Sequence, residues 1–127
     1  MTPSDFPRKI RILHFVHGNL RSGATHVAIH LVSAALSSPD IESLLALHCK
    51  HKENPEKMLA DLRTAGILVR AVPRSRLRVC TIFALMSICR EFKPDILIAH
   101  GFSEHLWGRY AGLLARVPHL IHVEHNT

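Results

Sequence analysis

The feature that most constrains this chain is a change of hydrophobic period that repeats along its length. Short apolar runs rich in Ile, Leu and Val alternate with stretches whose apolar residues recur every three or four positions. Residues 10–16 form the first run, stopped by His17-Gly18-Asn19. From there Ala24, Val27, Ala28, Leu31 and Ala35 follow the i, i+3, i+4, i+7, i+11 course of a helical stripe. Residues 41–47 are the second strand. Asn54-Pro55 supplies an N-cap and a proline at the first helical position. Met58, Leu59, Leu62 and Ala65 then face inward until Gly66 stops the helix. Residues 67–72, 95–99 and 120–123 are the remaining strands. Between them lie a stripe of Ile82, Leu85, Met86 and Cys89, closed by Lys93-Pro94, and a helix capped by Ser103 that carries Trp107, Tyr110, Ala111 and Leu114.

Strict alternation of strand and helix, with strands apolar throughout, implies a parallel sheet covered on both faces. Right-handed crossovers make it doubly wound. The predicted fold class is therefore α/β: a Rossmann-like three-layer α/β/α sheet in the order 3-2-1-4-5. That order makes neighbours of the two glycine-bearing loops after strands one and four. The 127 residues suit one domain spanning 1–127, and 47% hydrophobic with 20% charged residues excludes a disordered chain. No helix follows strand five, so the chain reads as cut after it.

Cys49, Cys80 and Cys89 form no CxxC pair, a usage that fits a reducing compartment. Asp5, Arg8, Lys9 and Arg11 interrupt the apolar stretch a signal peptide needs. No apolar run reaches the roughly 20 residues of a membrane span. The expected location is cytoplasmic, with any membrane contact made from the surface.

Lys+Arg number 16 against Asp+Glu 10, a net charge of +6, and eleven of the cations are arginine. This balance points to an anionic partner. Arg74, Arg76 and Arg78 crowd one loop, which is either a solvated basic face or a surface for a phosphate-bearing acceptor or an anionic membrane. No aromatic residue lies between Arg63 and Arg78, which argues against nucleic acid.

Ligands of such sheets bind beyond the carboxyl ends of the strands. That selects His17, Gly18, Ser22 and Gly23 after strand one, His100 and Gly101 after strand four, and Glu124, His125 and Asn126 after strand five. The first segment is neither GxGxxG nor GxxxxGK[ST], so its glycines serve either the turn itself or a ligand. A histidine beside a carboxylate at a strand end can move a proton or contact phosphate. No HExxH is present, and no metal site is expected.

Taken together, these segments resemble the N-terminal domain of GT-B glycosyltransferases of the family 4 type. Lys9-Ile10-Arg11-Ile12-Leu13-His14 is similar to the family's opening strand. Arg21-Ser22-Gly23-Ala24 resembles its GGA signature, with Ser22 where the family usually has glycine. Lys93-Pro94-Asp95-Ile96-Leu97-Ile98-Ala99-His100-Gly101 resembles its PDIVHTHG strand. The segment from Arg116-Val117-Pro118 to Glu124-His125-Asn126 resembles its GVPxxxxxEHN strand and loop. The resemblance implies a retaining transfer of sugar from a nucleotide-sugar donor to a glycan or lipid-linked acceptor, with no metal or other cofactor. It implies that Gly23, with Ser22, contacts the donor diphosphate. His125 would be catalytic, beside the transferred sugar, and His17, Gly18, His100, Gly101, Glu124 and Asn126 would line the cleft. It also implies a C-terminal GT-B domain that these 127 residues lack, so this chain alone is not expected to turn over. A stand-alone Rossmann-like module that binds a small phosphorylated ligand without catalysis is the rival expectation.

Overall fold

The computed structural model describes residues 9–17, 23–48, 55–72, 78–100, 109, 111–113 and 115–123. Five strands form one sheet: β1 (Ile10–His17), β2 (Ile41–His48), β3 (Val69–Val72), β4 (Ile96–His100) and β5 (His119–Val123). Among the described residues, α1 (Gly23–Ala35), α2 (Pro55–Thr64) and α3 (Arg78–Phe92) lie between successive strands from β1 to β4. Arg109 and residues 111–113 are also helical. Every strand pair is parallel and the order is β3-β2-β1-β4-β5, as the sequence pattern implies.

Successive residues of a strand point to opposite faces, and both faces of the central strands are covered. On one face Leu13, Phe15, Leu44, Ala46, Val72 and Leu97 pack against Leu85, Ile88, Cys89 and Phe92 of α3 and against Ala111. On the other, Val16, Leu45, Leu47 and Val69 pack against Ala28 and Val32 of α1 and Leu59 and Leu62 of α2. β5 is half-covered, with Ile121 exposed. At the amino end of the sheet, Asp95 joins two strands: its amide donates to the Arg11 carbonyl at 2.7 Å, and its carboxylate accepts from the Arg11 amide at 2.9 Å. The Arg11 guanidinium lies over the Phe92 ring at 4.5 Å and 3.5 Å from the Glu42 carboxylate.

The structure corrects three details. Among the described side chains of α1, Thr25, Ala28 and Val32 are buried, whereas Val27 and Leu31 are 39% and 46% exposed. The helix is apolar around most of its circumference, so periodicity does not select the side that meets the sheet. Ala65 is exposed, in the turn after α2. Ile67 precedes β3 rather than opening it, because its amide donates to the Leu62 carbonyl at 3.0 Å while Gly66 donates to Arg63. Those two bonds make a Schellman cap around Gly66, whose φ is +88°.

The other two left-handed residues do the same work without glycine. Arg116 (φ 59°) sits in a second Schellman cap, with Val117 donating to Gly112 and Arg116 to Leu113. Lys93 (φ 54°) makes the single bond of the simpler αL cap, to Cys89. Pro94, with no N–H, cannot supply the second. A side chain in this region costs about 1–2 kcal/mol. Gly66→Ala is therefore expected to lower the unfolding free energy by about 1 kcal/mol in urea denaturation, and Arg116→Gly to raise it. A stable Gly66→Ala chain with an unchanged urea midpoint would contradict the cap assignment.

Candidate functional site at the carboxyl ends of the strands

The strand order reverses between β1 and β4, and open sheets of this kind bind ligands beyond the carboxyl ends of the strands at such a point. Histidine ends three strands: His17 on β1, His48 on β2 and His100 on β4. His17 and His48 are partners in the register. α1 starts at Gly23 on the same side, and a helix N-terminus is the kind of place that suits an anion. A Cβ built on Gly23 meets nothing within 4 Å among the described residues.

Beneath this end of the sheet is a feature that strand-end reasoning missed. His14 of β1 and His100 of β4 are both buried, at 4% and 0% exposure, with stacked rings whose centroids are 5.3 Å apart. His14 Nδ1 and His100 Nε2 are 3.1 Å apart, a hydrogen bond in which one nitrogen carries the hydrogen and the other accepts it. The signal was available in the sequence. A histidine within the otherwise apolar run of a central strand needs a partner, because a buried polar group without one is costly. Desolvation pushes the His14 imidazole down to about 4 from its ordinary 6.5. Burial likewise pushes the Cys89 thiol up to about 12, which makes it a core residue rather than a nucleophile.

Of the remaining sequence candidates, Gly23 begins α1 and Arg78 begins α3. Gly18, Ser22, Arg74, Arg76, Gly101, Glu124, His125 and Asn126 lie outside the described residues. His100 is brought against His14 and not onto the surface. His26, His30 and His119 are exposed. Among the described residues, no three His, Cys, Asp or Glu side chains converge as a metal site. No described helix is long and apolar enough to cross a membrane.

No protein-family model matches the chain, and no curated protein matches it. Solved structures do. The UDP-GlcNAc 2-epimerase of Neisseria meningitidis, determined with UDP-GlcNAc bound, is 17% identical with a TM-score of 0.64; the match covers 90% of this chain and 32% of that one. MurG of Acinetobacter baumannii is 16% identical with a TM-score of 0.63, over 91% of this chain and 35% of that one. The fold is that of a GT-B-like domain. The chain spans about a third of the length of the proteins it matches.

The His14 shift has a sign and a window. Protonation is penalised only in the folded chain, so the unfolded chain binds the extra proton first as pH falls. The stability that depends on neutral His14 is complete above about pH 6.5 and drains away down to about pH 4, a total of about 3 kcal/mol. The urea midpoint of the wild-type chain should therefore fall relative to that of His14→Leu as pH is lowered from 7 to 4. Parallel pH profiles for the two would contradict the assignment.

Proposed function

We propose that this chain is the N-terminal, acceptor-side domain of a nucleotide-sugar glycosyltransferase of the GT-B class and family 4 type, acting with retention of configuration. The observation that carries this reading is Gly23, with nothing among the described residues within 4 Å of its Cβ position, at the start of a helix that follows the central strand at the switch point. A diphosphate placed there would approach the start of α1 with no side chain on Gly23 itself in the way. The bound UDP-GlcNAc of the structurally similar epimerase supports a nucleotide sugar as the ligand class. The ordered motifs from Lys9 to Asn126 support the family 4 type.

In this reading the donor diphosphate lies over Ser22 and Gly23, and His125 stands beside the transferred sugar. A neutral His125 accepts a hydrogen bond from a sugar hydroxyl; a protonated one offsets charge on the leaving phosphate. Either contact accelerates the reaction only if it strengthens in the transition state. The remainder of the nucleotide site belongs to a second domain, and the acceptor approaches from the side of Arg74, Arg76 and Arg78.

Gly23→Ala separates ligand contact from folding. Alanine is the better helix former and meets no neighbour here, so the urea midpoint should hold or rise. Affinity for UDP, measured by calorimetry, should fall about tenfold or more as the new methyl enters the diphosphate's space. Unchanged UDP affinity would remove the donor from this helix. In the full-length enzyme, His125→Ala should lower kcat by about a hundredfold or more with little rise in donor KM. His119→Ala, at the amino end of β5, should leave kcat near wild type. Equal effects of the two substitutions would return His125 to the status of an ordinary loop histidine.

A further inference from the structure

Before the amino ends of β4 and β5 the structure holds a cavity of about 410 Å³. Arg90, Lys93 and Arg116 line it, with Asp95 and the apolar surface of Val117 and Pro118. The sheet register explains why two of these cations meet. Ile96 of β4 pairs with His119 of β5, and Lys93 and Arg116 each stand three residues before those partners. They therefore occupy matching positions ahead of adjacent strands, which lie about 4.8 Å apart in a sheet. Each starts from a backbone fixed by a helix cap: the Lys93 amide donates to Cys89 at 2.8 Å and the Arg116 amide to Leu113 at 3.2 Å. Arg90 joins them from the last turn of α3.

Folding alone does not account for the two residues. Both hold the left-handed backbone, at φ 54° and 59°, where glycine is unstrained and a side chain is not. A cation at a helix C-terminus gains from the helix dipole, but that gain is smaller than the cost of a left-handed side chain. In α3, moreover, Arg90 already supplies it. Carboxylates do not neutralise the cluster either. Among the described residues Arg90, Lys93 and Arg116 are exposed and form no ion pair, whereas Glu91 is held by Arg70 at 3.1 Å. The Asp95 carboxylate accepts from the Arg11 amide at 2.9 Å. The cavity thus keeps three cations beside an apolar base, two of them where glycine would serve the backbone better.

We propose that this cavity is a second anion site, for a phosphate-bearing ligand with an apolar part. Arginine offers phosphate a planar fork and lysine a point charge, so Arg90, Lys93 and Arg116 together suit several phosphate oxygens. Val117 and Pro118 suit the remainder of the ligand. Nearby backbone amides are already engaged, Asp95 with the Arg11 carbonyl at 2.7 Å and Val117 with that of Gly112 at 2.9 Å, so recognition falls to the side chains. The site lies at the opposite end of the strands from Gly23 and does not depend on the donor reading given under Proposed function.

Titration of the 127-residue chain with inorganic diphosphate, followed through backbone amide resonances, tests this. The amides of Lys93, Asp95, Arg116 and Val117 should shift, with an affinity that weakens as salt is raised. The double variant Lys93→Gly/Arg116→Gly should lower the affinity read at Asp95 and Val117 about tenfold or more, as charged hydrogen bonds are lost. Its urea midpoint should hold or rise, because glycine relieves both left-handed positions. Lys93→Arg keeps the charge and should bind as the wild type does. No shift at the cavity amides overturns the proposal, as does an affinity that the double variant leaves unchanged. A lower urea midpoint in the double variant also overturns it, since the cations would then serve the fold. Diphosphate that shifts Gly23 and Thr25 alone overturns the proposal and leaves the donor reading standing. Vesicles containing phosphatidylglycerol separate the two sources of phosphate. Vesicle binding that the double variant loses along with diphosphate names a lipid headgroup, and equal vesicle binding by the two chains names a soluble molecule.

Discussion

The rest of the structure depends on β1. It is hydrogen-bonded on both edges, to β2 and β4, and Leu13, His14, Phe15 and Val16 are buried whichever face they point to. A strand so enclosed in parallel pairing forces every connection to cross over the sheet, and right-handed crossovers assign each helix its face. α1 and α2 follow on one face and α3 on the other. The chain then returns beside β1 as β4, and this return makes neighbours of the carboxyl ends of β1 and β4. The switch point is thus a by-product of enclosing one strand.

The two ends of the sheet are built differently. At the amino end, fixed local geometry dominates. Asp95 joins β1 to β4, Arg11 is clasped by Phe92 and Glu42, and Lys93 and Arg116 hold left-handed caps before β4 and β5. Each is a device for stopping a helix and starting a strand in register. At the carboxyl end the chain carries glycines, histidines and the start of α1. That division fits a sheet whose stability is secured at one end and whose chemistry is placed at the other.

The fold by itself does not choose the chemistry, since an epimerase and MurG share it at 17% and 16% identity. This chain carries polar matter within the core at the switch point, the buried His14–His100 pair. A buried imidazole pair between the two central strands is neither needed for packing nor easily replaced by a single residue change. Removing either ring breaks the 3.1 Å contact between them inside the sheet.

The sequence by itself determined the number of strands, their parallel pairing and their order, because period and enclosure are local properties of each segment. It also marked Pro55 and Gly66 as helix boundaries, since proline and glycine act through their own backbone. Three things were decided only by the tertiary structure. The side of α1 that meets the sheet was hidden in a helix apolar nearly all round. Ile67 was claimed by the cap of α2, whose hydrogen bonds outrank a run of β-branched neighbours. And His14 met His100 across 86 residues of chain. No local pattern encodes that meeting; it exists because the return of the chain as β4 lays one strand against the other, and a buried ring nitrogen must find its partner there.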